Sequence, residues 1–280
     1  MRVYFIPVHL RTNRTKPHAT QRYEISVKST IFVATKKLKI TMAGIYQFKV
    51  EQGSVDGRGR AKIGFLNNAI VNVAGTDANI SGFGIGDVNQ DNCSWVLSRY
   101  AVQLNRIPVC DEVISVDTWI GHCEKFFSVR NFILRDAEGV QIGSAISLWA
   151  LINITTRRPM MLEEMHARDG VSFTDREEPM SRPAKIGNVT ADITVERRVA
   201  YSDVDFNGHM NSMRSIEHLT DLLPYEELLE CNGYRLDINF SREGFPGQLL
   251  TLTCQRGDVN LFDISCEGTS LTKASMELYK

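Results

Sequence analysis

The chain has 280 residues, of which 43% are hydrophobic and 23% charged, which is typical of a globular protein with one large domain or two modest ones. No apolar run reaches the roughly 18 to 20 residues that span a bilayer, so a membrane span is not expected. The first 41 residues carry nine basic side chains against one acidic, a net +8, which leaves -9 of the total of -1 for the remainder. An acidic body argues against general nucleic-acid binding.

Residues 1–41 form a basic N-terminal extension, which we leave out of the predicted fold. It is rich in Thr and Arg, which is typical of a transit-like leader; the alternative is sequence upstream of a start at Met42. We therefore expect a cytoplasmic protein, or an organellar one if the extension is a transit peptide. The six cysteines have no metal-type spacing, so we expect free thiols, no metal and no cofactor.

The segment 42–155 predicts one helix followed by strands. An extended stretch leads through Asp56 and Gly57 into a helix whose apolar stripe is Leu66, Ile70 and Val73. The glycine-rich segment 82–86 follows that helix rather than a strand, so we interpret it as a loop and not as a nucleotide site. Four strands are predicted next: Ala101–Leu104, Val113–Trp119, Phe126–Leu134 and Ile142–Leu151.

The segment 156–190 contains three prolines and predicts a linker, and the segment 191–280 then repeats the earlier plan. An extended stretch, Ile193–Val199, leads through a turn into a helix with Ile216, Leu219 and Leu223 on one face. The predicted strands that follow are Leu236–Phe240, Leu249–Cys254, Leu261–Cys266 and Leu271–Leu278.

Three matches in the same order make the repeat explicit. Val55–Arg60 matches Val204–His209 at an offset of 149, Arg99–Arg106 matches Arg235–Arg242 at 136, and the Glu-Gly turns at 138 and 267 match at 129. A falling offset is what a second copy with shorter connections would give. We therefore predict an α+β tandem (double) hotdog fold, in which each half wraps an antiparallel sheet around a long central helix.

The turn before the second helix carries the candidate site. Asn207 and His209 can donate or accept hydrogen bonds there, and Gly208 lets the backbone approach a substrate. A helix start also presents unpaired N–H groups to an oxygen that becomes negative during acyl transfer. Glu243 follows an apolar strand and could ready an attacking water. Asp205 has a counterpart in Asp56, so part of its work is to hold the turn.

The first copy serves as an internal control. It has Arg58, Arg60 and Ile107 where the second has Asn207, His209 and Glu243, so it lacks each group that handles protons. We therefore expect the segment 42–155 to bind substrate without reacting and the segment 191–280 to be catalytic.

The segment Tyr201–Asn211 resembles the signature turn of the acyl-ACP thioesterases, where ACP is acyl carrier protein. Asp117–Trp119 and Thr156–Pro159 resemble further hallmarks of that family. The resemblance implies hydrolysis of the thioester of fatty acyl-ACP, which releases a fatty acid and ends chain elongation. It assigns the catalytic roles to four residues: Asp205, Asn207, His209 and Glu243.

The resemblance also bears on the nucleophile and the partner. The plant branch has a Cys beside the Glu, whereas this chain has Gly244, so we expect attack by water. An acidic carrier protein is the expected partner. The candidates to meet it or its phosphopantetheine are Arg157 and Arg158, or alternatively Arg197, Arg198 and Arg214. A homodimer is compatible with the sequence. Two alternatives stay open: a hotdog dehydratase acting on 3-hydroxyacyl thioesters, and a non-catalytic module that binds acyl thioesters.

Overall fold

The computed structural model describes residues 40–41, 43–162, 171–172 and 174–280. Nearly all of the basic extension predicted for residues 1–41 lies outside these ranges, as does part of the linker. No helix in the described ranges is long and apolar enough to cross a membrane.

The first half alternates short connections with long strands. Its 18-residue helix begins after Lys62 and is followed by a second helix of six residues. The elements are β1 (Ile40–Thr41), β2 (Ala43–Lys49), α1 (Ile63–Ile80), α2 (Ile85–Gln90), β3 (Cys93–Leu104), β4 (Val113–Cys123), β5 (Ser128–Arg135), β6 (Gln141–Asn153) and β7 (Val171–Ser172).

The second half has the same order of elements. The elements are β8 (Ile193–Arg198), α3 (Ser212–Thr220), α4 (Tyr225–Glu230), β9 (Gly233–Phe240), β10 (Leu249–Gln255), β11 (Val259–Cys266) and β12 (Thr269–Tyr279). Ten of the strands form one antiparallel sheet in the order β2-β4-β5-β6-β3-β9-β12-β11-β10-β8, while β1 and β7 pair separately and parallel.

Strand order and main-chain bonds confirm the predicted repeat. Each half contributes five strands in mirrored order, and the halves join where β3 pairs with β9. Asn105 N donates to Ile142 O and Ser241 N donates to Leu271 O, both at 2.8 Å. These bonds relate residues at the predicted offsets of 136 and 129. The chain therefore has the double-hotdog arrangement.

The long helices pack against the sheet. One apolar core runs through both halves and includes Leu66 and Ile70 from α1 and Ile216 and Leu219 from α3. The two helices differ in length, 18 residues against nine. Leu223, predicted on the second helix, lies beyond its end because Pro224 disfavours helical backbone in the residue before it.

The loop predicted for residues 82–86 is wrong from Ile85 onward, where α2 begins. The carboxylate of Asp87 accepts a hydrogen bond from Gly84 N at 2.9 Å. An acidic side chain at the third helical position that bonds back to the N-cap amide stabilises a helix start. The glycines before it therefore form the entry to a helix.

The described part of the linker crosses the outer face of the sheet. Arg176 stacks over Trp119 with its guanidinium carbon 3.6 Å from the ring centroid, and it also pairs with Asp117. Further along, Ala184 N donates to Asp237 and Lys273 donates to Gly187 O. The linker thus binds strands of the first half and then strands of the second.

Candidate active site

The turn before α3 is built by Asp205. Its Oδ1 accepts a hydrogen bond from Asn207 N at 2.8 Å, and its amide donates to His209 O at 3.0 Å. Gly208 closes the turn with φ of 81°, a left-handed conformation that favours glycine, and its Cα faces open space. The turn-holding role expected for Asp205 is therefore present in the structure.

The first half repeats this turn. Asp56 Oδ1 accepts from the amides of Arg58 and Arg60, and Gly59 has φ of 72°. The two turns, 149 residues apart, share three hydrogen bonds and differ in one, because Arg60 N donates to Asp56 Oδ1 whereas His209 N does not donate to Asp205 Oδ1. The backbone is therefore similar in the two halves while the side chains differ.

The loop that carries Glu243 is tied to the start of α3. Met210 N donates to Gly244 O at 2.7 Å, and the corresponding bond in the first half runs from Ala61 N to Pro108 O at 2.8 Å. These equivalent bonds place Ile107 in the position of Glu243. The predicted substitution of a carboxylate by an apolar side chain in the first half is therefore confirmed.

His209 and Glu243 come together in space. His209 Nε2 lies 3.3 Å from Glu243 Oε1, and His209 Nδ1 lies 3.9 Å from Asp205 Oδ1. The side chains of Asp205, His209 and Glu243 are 17%, 23% and 28% exposed, so water reaches each of them. The structure thus brings three of the four predicted residues, Asp205, His209 and Glu243, together in one half-buried site that solvent reaches.

Asn207 lies in the same turn with its side chain exposed. The turn uses most of its own amides, because Asn207, Gly208, Met210 and Asn211 all donate to neighbouring oxygens. Among the hydrogen bonds of the described residues, none involves the amide N of His209. The same holds, among the described residues, for the amide N of Phe206 and for that of Ser212, the first residue of α3. Several backbone N–H groups in and beside the turn are therefore free to meet an oxygen, as expected.

Two side chains of the site have contacts that the sequence did not predict. Arg157 Nη2 donates to Glu243 Oε1 at 2.6 Å across 86 residues of chain. Phe245 packs edge-on against the ring of His209, with centroids 6.4 Å apart. Neither contact follows from spacing. The only signal for Arg157 was its place in the segment Thr156–Pro159, where we expected it to face a carrier protein.

In the first half, the corresponding arginines bind helix α4. Arg58 Nη1 donates to Leu229 O at 2.9 Å, and Arg60 donates to the carbonyl oxygens of Leu228 and Cys231. Cations at a helix C-terminus neutralise its partial negative charge and satisfy its free carbonyls. The turn that lacks Asn and His therefore acts as a cap for a helix of the other half.

Known families match nearly the whole described chain. The model of the acyl-ACP thioesterase N-terminal domain matches residues 45–168, and that of the C-terminal domain matches residues 187–277. The chain is similar to an acyl-ACP thioesterase structure from Bacteroides thetaiotaomicron, with 34% identity, a TM-score of 0.75 and coverage of 84% of this chain and 97% of that one. The 12:0-ACP thioesterase from Umbellularia californica shares the fold, with 20% identity, a TM-score of 0.71 and coverage of 84% and 96%.

Curated relatives agree at lower coverage. Dodecanoyl-[acyl-carrier-protein] hydrolase, chloroplastic, from Cinnamomum camphora is 26% identical over 74% of this chain and 57% of that protein. Palmitoyl-acyl carrier protein thioesterase, chloroplastic, from Arabidopsis thaliana is 27% identical over 64% and 46%. The chain thus spans about half the length of these relatives. Since the two family models together match more than half of the chain, it belongs to the acyl-ACP thioesterase family.

Proposed function

We propose that this protein hydrolyses the thioester of fatty acyl-ACP, releasing a free fatty acid and ending chain elongation. The observation that carries the proposal is the 3.3 Å approach of Glu243 Oε1 to His209 Nε2 beside Asn207. The first half keeps the turn and lacks these groups. Family membership and the names of the relatives, which include dodecanoyl- and palmitoyl-ACP hydrolases, support a fatty acyl thioester as the substrate.

Glu243 acts as the general base in this proposal. Its carboxylate takes a proton from a water molecule while the water oxygen bonds to the thioester carbon. The C–S bond then breaks, and the proton passes to the departing sulfur, giving a carboxylic acid and the thiol of the carrier. Because Gly244 stands beside Glu243, no cysteine is available at that position to form an acyl-enzyme.

Asn207 and His209 stabilise the oxyanion. The exposed side-chain amide of Asn207 and the backbone N–H of His209 both lie in the turn at the start of α3. The helix dipole also favours negative charge there. The ring of His209, held by Phe245, stays next to Glu243. Asp205 keeps the turn in shape, and Gly208 leaves room for the substrate.

Acyl carrier protein is the proposed partner. Three large aromatic side chains stand exposed in or next to the site loops: Tyr201, Phe206 and Phe245, with exposed fractions of 97%, 79% and 48%. Exposed apolar groups of this kind mark interaction surfaces. They give a carrier protein a surface to rest on while its prosthetic arm enters the site.

The proposal is tested by incubating the purified chain with acyl-ACPs of several chain lengths and titrating the free thiol that is released. We expect turnover by the wild type and a loss of at least about 100-fold in kcat for H209A and E243Q, the range usual for acid–base residues. E196Q removes an exposed carboxylate on β8 and should keep wild-type turnover.

The alternatives give different outcomes in the same assay. A dehydratase would form an unsaturated thioester from a 3-hydroxyacyl-ACP and release no thiol. A binding module would retain acyl-ACP without turning it over, and H209A would change nothing. Either result would refute hydrolysis.

The location of the protein, the roles of its two halves and its assembly remain predictions. We expect a cytoplasmic protein, or an organellar one if residues 1–41 are a transit peptide, as the chloroplastic relatives illustrate. We also infer that the segment 42–155 binds the acyl chain and the segment 191–280 reacts. A homodimer is compatible with this scheme.

A further inference from the structure

Arg157 lies in a strained turn just after β6. Its φ of 57° is left-handed, a conformation that side-chain-bearing residues rarely adopt. Asn153 holds the turn in place, because its carbonyl oxygen accepts from Arg157 N at 2.9 Å and its side-chain oxygen accepts from Thr156 N at 2.8 Å. Hydrogen bonds to Asn153 therefore hold the backbone of Arg157 in a conformation that is unfavourable for a residue with a side chain.

The side chain leaves this turn and ends on Glu243. Nη2 of Arg157 is 2.6 Å from Glu243 Oε1, the same oxygen that lies 3.3 Å from His209 Nε2. The Arg157 side chain is 54% exposed, and pairs this exposed contribute little to folding stability. A gain in folding stability from this ion pair therefore does not explain why Arg157 is held in a strained conformation. Strain of this kind concentrates at functional sites.

We infer that Arg157 is a positioning residue that holds Glu243 in its reactive orientation. The inference rests on the proposed function. Arg157 binds Oε1 and sets it beside His209, so that Oε2 is the oxygen that takes the proton from water. The start of the linker thereby contributes a residue to the reaction site of the second half.

This role differs from the one that the sequence suggested. A residue that only meets an acidic carrier would act on substrate binding and would leave the chemical step unchanged. A residue that orients the base acts on the chemical step, because a misplacement of about 1 Å can cost on the order of 100-fold in rate. The two roles therefore separate in kcat and KM.

The test compares R157A with R242A and R157K. Arg242 precedes Glu243 and is exposed, so R242A removes a nearby positive charge without touching the carboxylate. We expect R157A to lose about 10- to 100-fold in kcat with little change in KM. R157K should recover part of that loss, and R242A should behave as the wild type.

Chemical rescue gives a second readout that a structural defect would not show. Added guanidinium at millimolar concentration should restore part of the kcat of R157A and leave R242A unchanged. A rise in KM with unchanged kcat, or no rescue and no recovery by lysine, would overturn the inference in favour of carrier docking or a structural role.

A crystal structure of R157A decides the point independently of turnover. We expect Glu243 Oε1 to move away from His209 Nε2. If the two atoms stay 3.3 Å apart, Arg157 does not position Glu243. Should the wild-type protein release no thiol at all, the proposed function would fail while this measurement still settles the role of Arg157.

Discussion

His218 lies on α3 behind the turn that carries His209, and it is buried against Asp203. Its Nε2 is 3.2 Å from Asp203 Oδ1, and both side chains are almost fully enclosed. Asp203 in turn accepts a hydrogen bond from Ala200 N and, through its carbonyl, one from Asn211 N. The pair thus supports both ends of the site turn.

Burial lowers the pKa of His218, with Arg197 and Arg214 acting in the same direction and Asp203 and Asp221 opposing them. The folded protein therefore keeps this ring neutral, whereas the unfolded chain takes up a proton as the pH falls through about 6.5. It follows that stability is present above that pH and is lost below it.

We predict that H218Q reduces the acid sensitivity of the fold. The urea midpoint of unfolding should fall between pH 7.5 and pH 5.5, and this fall should be smaller for H218Q than for the wild type. H122Q changes a half-exposed ring and serves as the control, with the same fall as the wild type. An equal fall in H218Q would show that other groups set the acid limit.

The site could be predicted only as far as its residues lie close in sequence or repeat. Asp205, Asn207 and His209 share one turn, and Glu243 was predicted because it follows an apolar strand and because the family resemblance assigns it, with Ile107 as the contrast in the first half. The contact of Arg157 with Glu243 was missed, since side chains 86 residues apart meet only through the fold. The hydrogen bonds that backbone amides make within the turn were not predicted either, because hydrogen bonds of a loop depend on its backbone angles.

At the scale of elements, α1 and α3 approach each other closely at Gly64. A Cβ built there would clash with Glu217 Cγ on α3, and Glu217 is itself paired with Arg214. Gly75 is on the same helix, is exposed, and has open space around it. One helix therefore offers two glycines with opposite constraints.

We predict opposite effects of alanine at these positions. G75A should stabilise the protein by about 0.5 to 1 kcal/mol, the difference in helix propensity. G64A gains the same propensity but displaces Glu217, so we expect net destabilisation. Chemical denaturation of both variants checks the signs, and stabilisation by G64A would mean that α3 shifts freely.

The elements themselves were largely predictable from hydrophobic periodicity. The stripe of Leu66, Ile70 and Val73 lies on α1 and is buried as expected. The predicted length of the second helix failed, because apolar spacing continued to Leu223 while Pro224 set the end. Capping by Asp87 likewise made a helix start from a glycine-rich segment.

At the scale of the whole molecule, the sheet and the core are shared by both halves. The core cluster includes residues from Val50 to Met276, and β3 pairs with β9 along six residues of each strand. All three tryptophans, Trp95, Trp119 and Trp149, lie in the first half. Their fluorescence therefore reports on one half while a substitution is made in the other.

We predict that F262A lowers the urea concentration at which both halves unfold. Phe262 on β11 is fully buried, and its truncation should cost about 3 to 5 kcal/mol. Tryptophan fluorescence and far-UV circular dichroism should move to the same lower urea midpoint. V195A on the exposed face of β8 is the control with little change. An unmoved fluorescence midpoint would mean that the halves unfold separately.

The capping of α4 by Arg60 means that the turn of the first half cannot take on the side chains of the second half without loss of contacts. A histidine at position 60 would take the donors away from the carbonyl oxygens of Leu228 and Cys231, yet Ile107 would still offer no base. If the segment 191–280 carries the reaction as proposed, each chain has one reaction centre, and we expect its rate to follow substrate concentration without cooperativity between sites of the same chain.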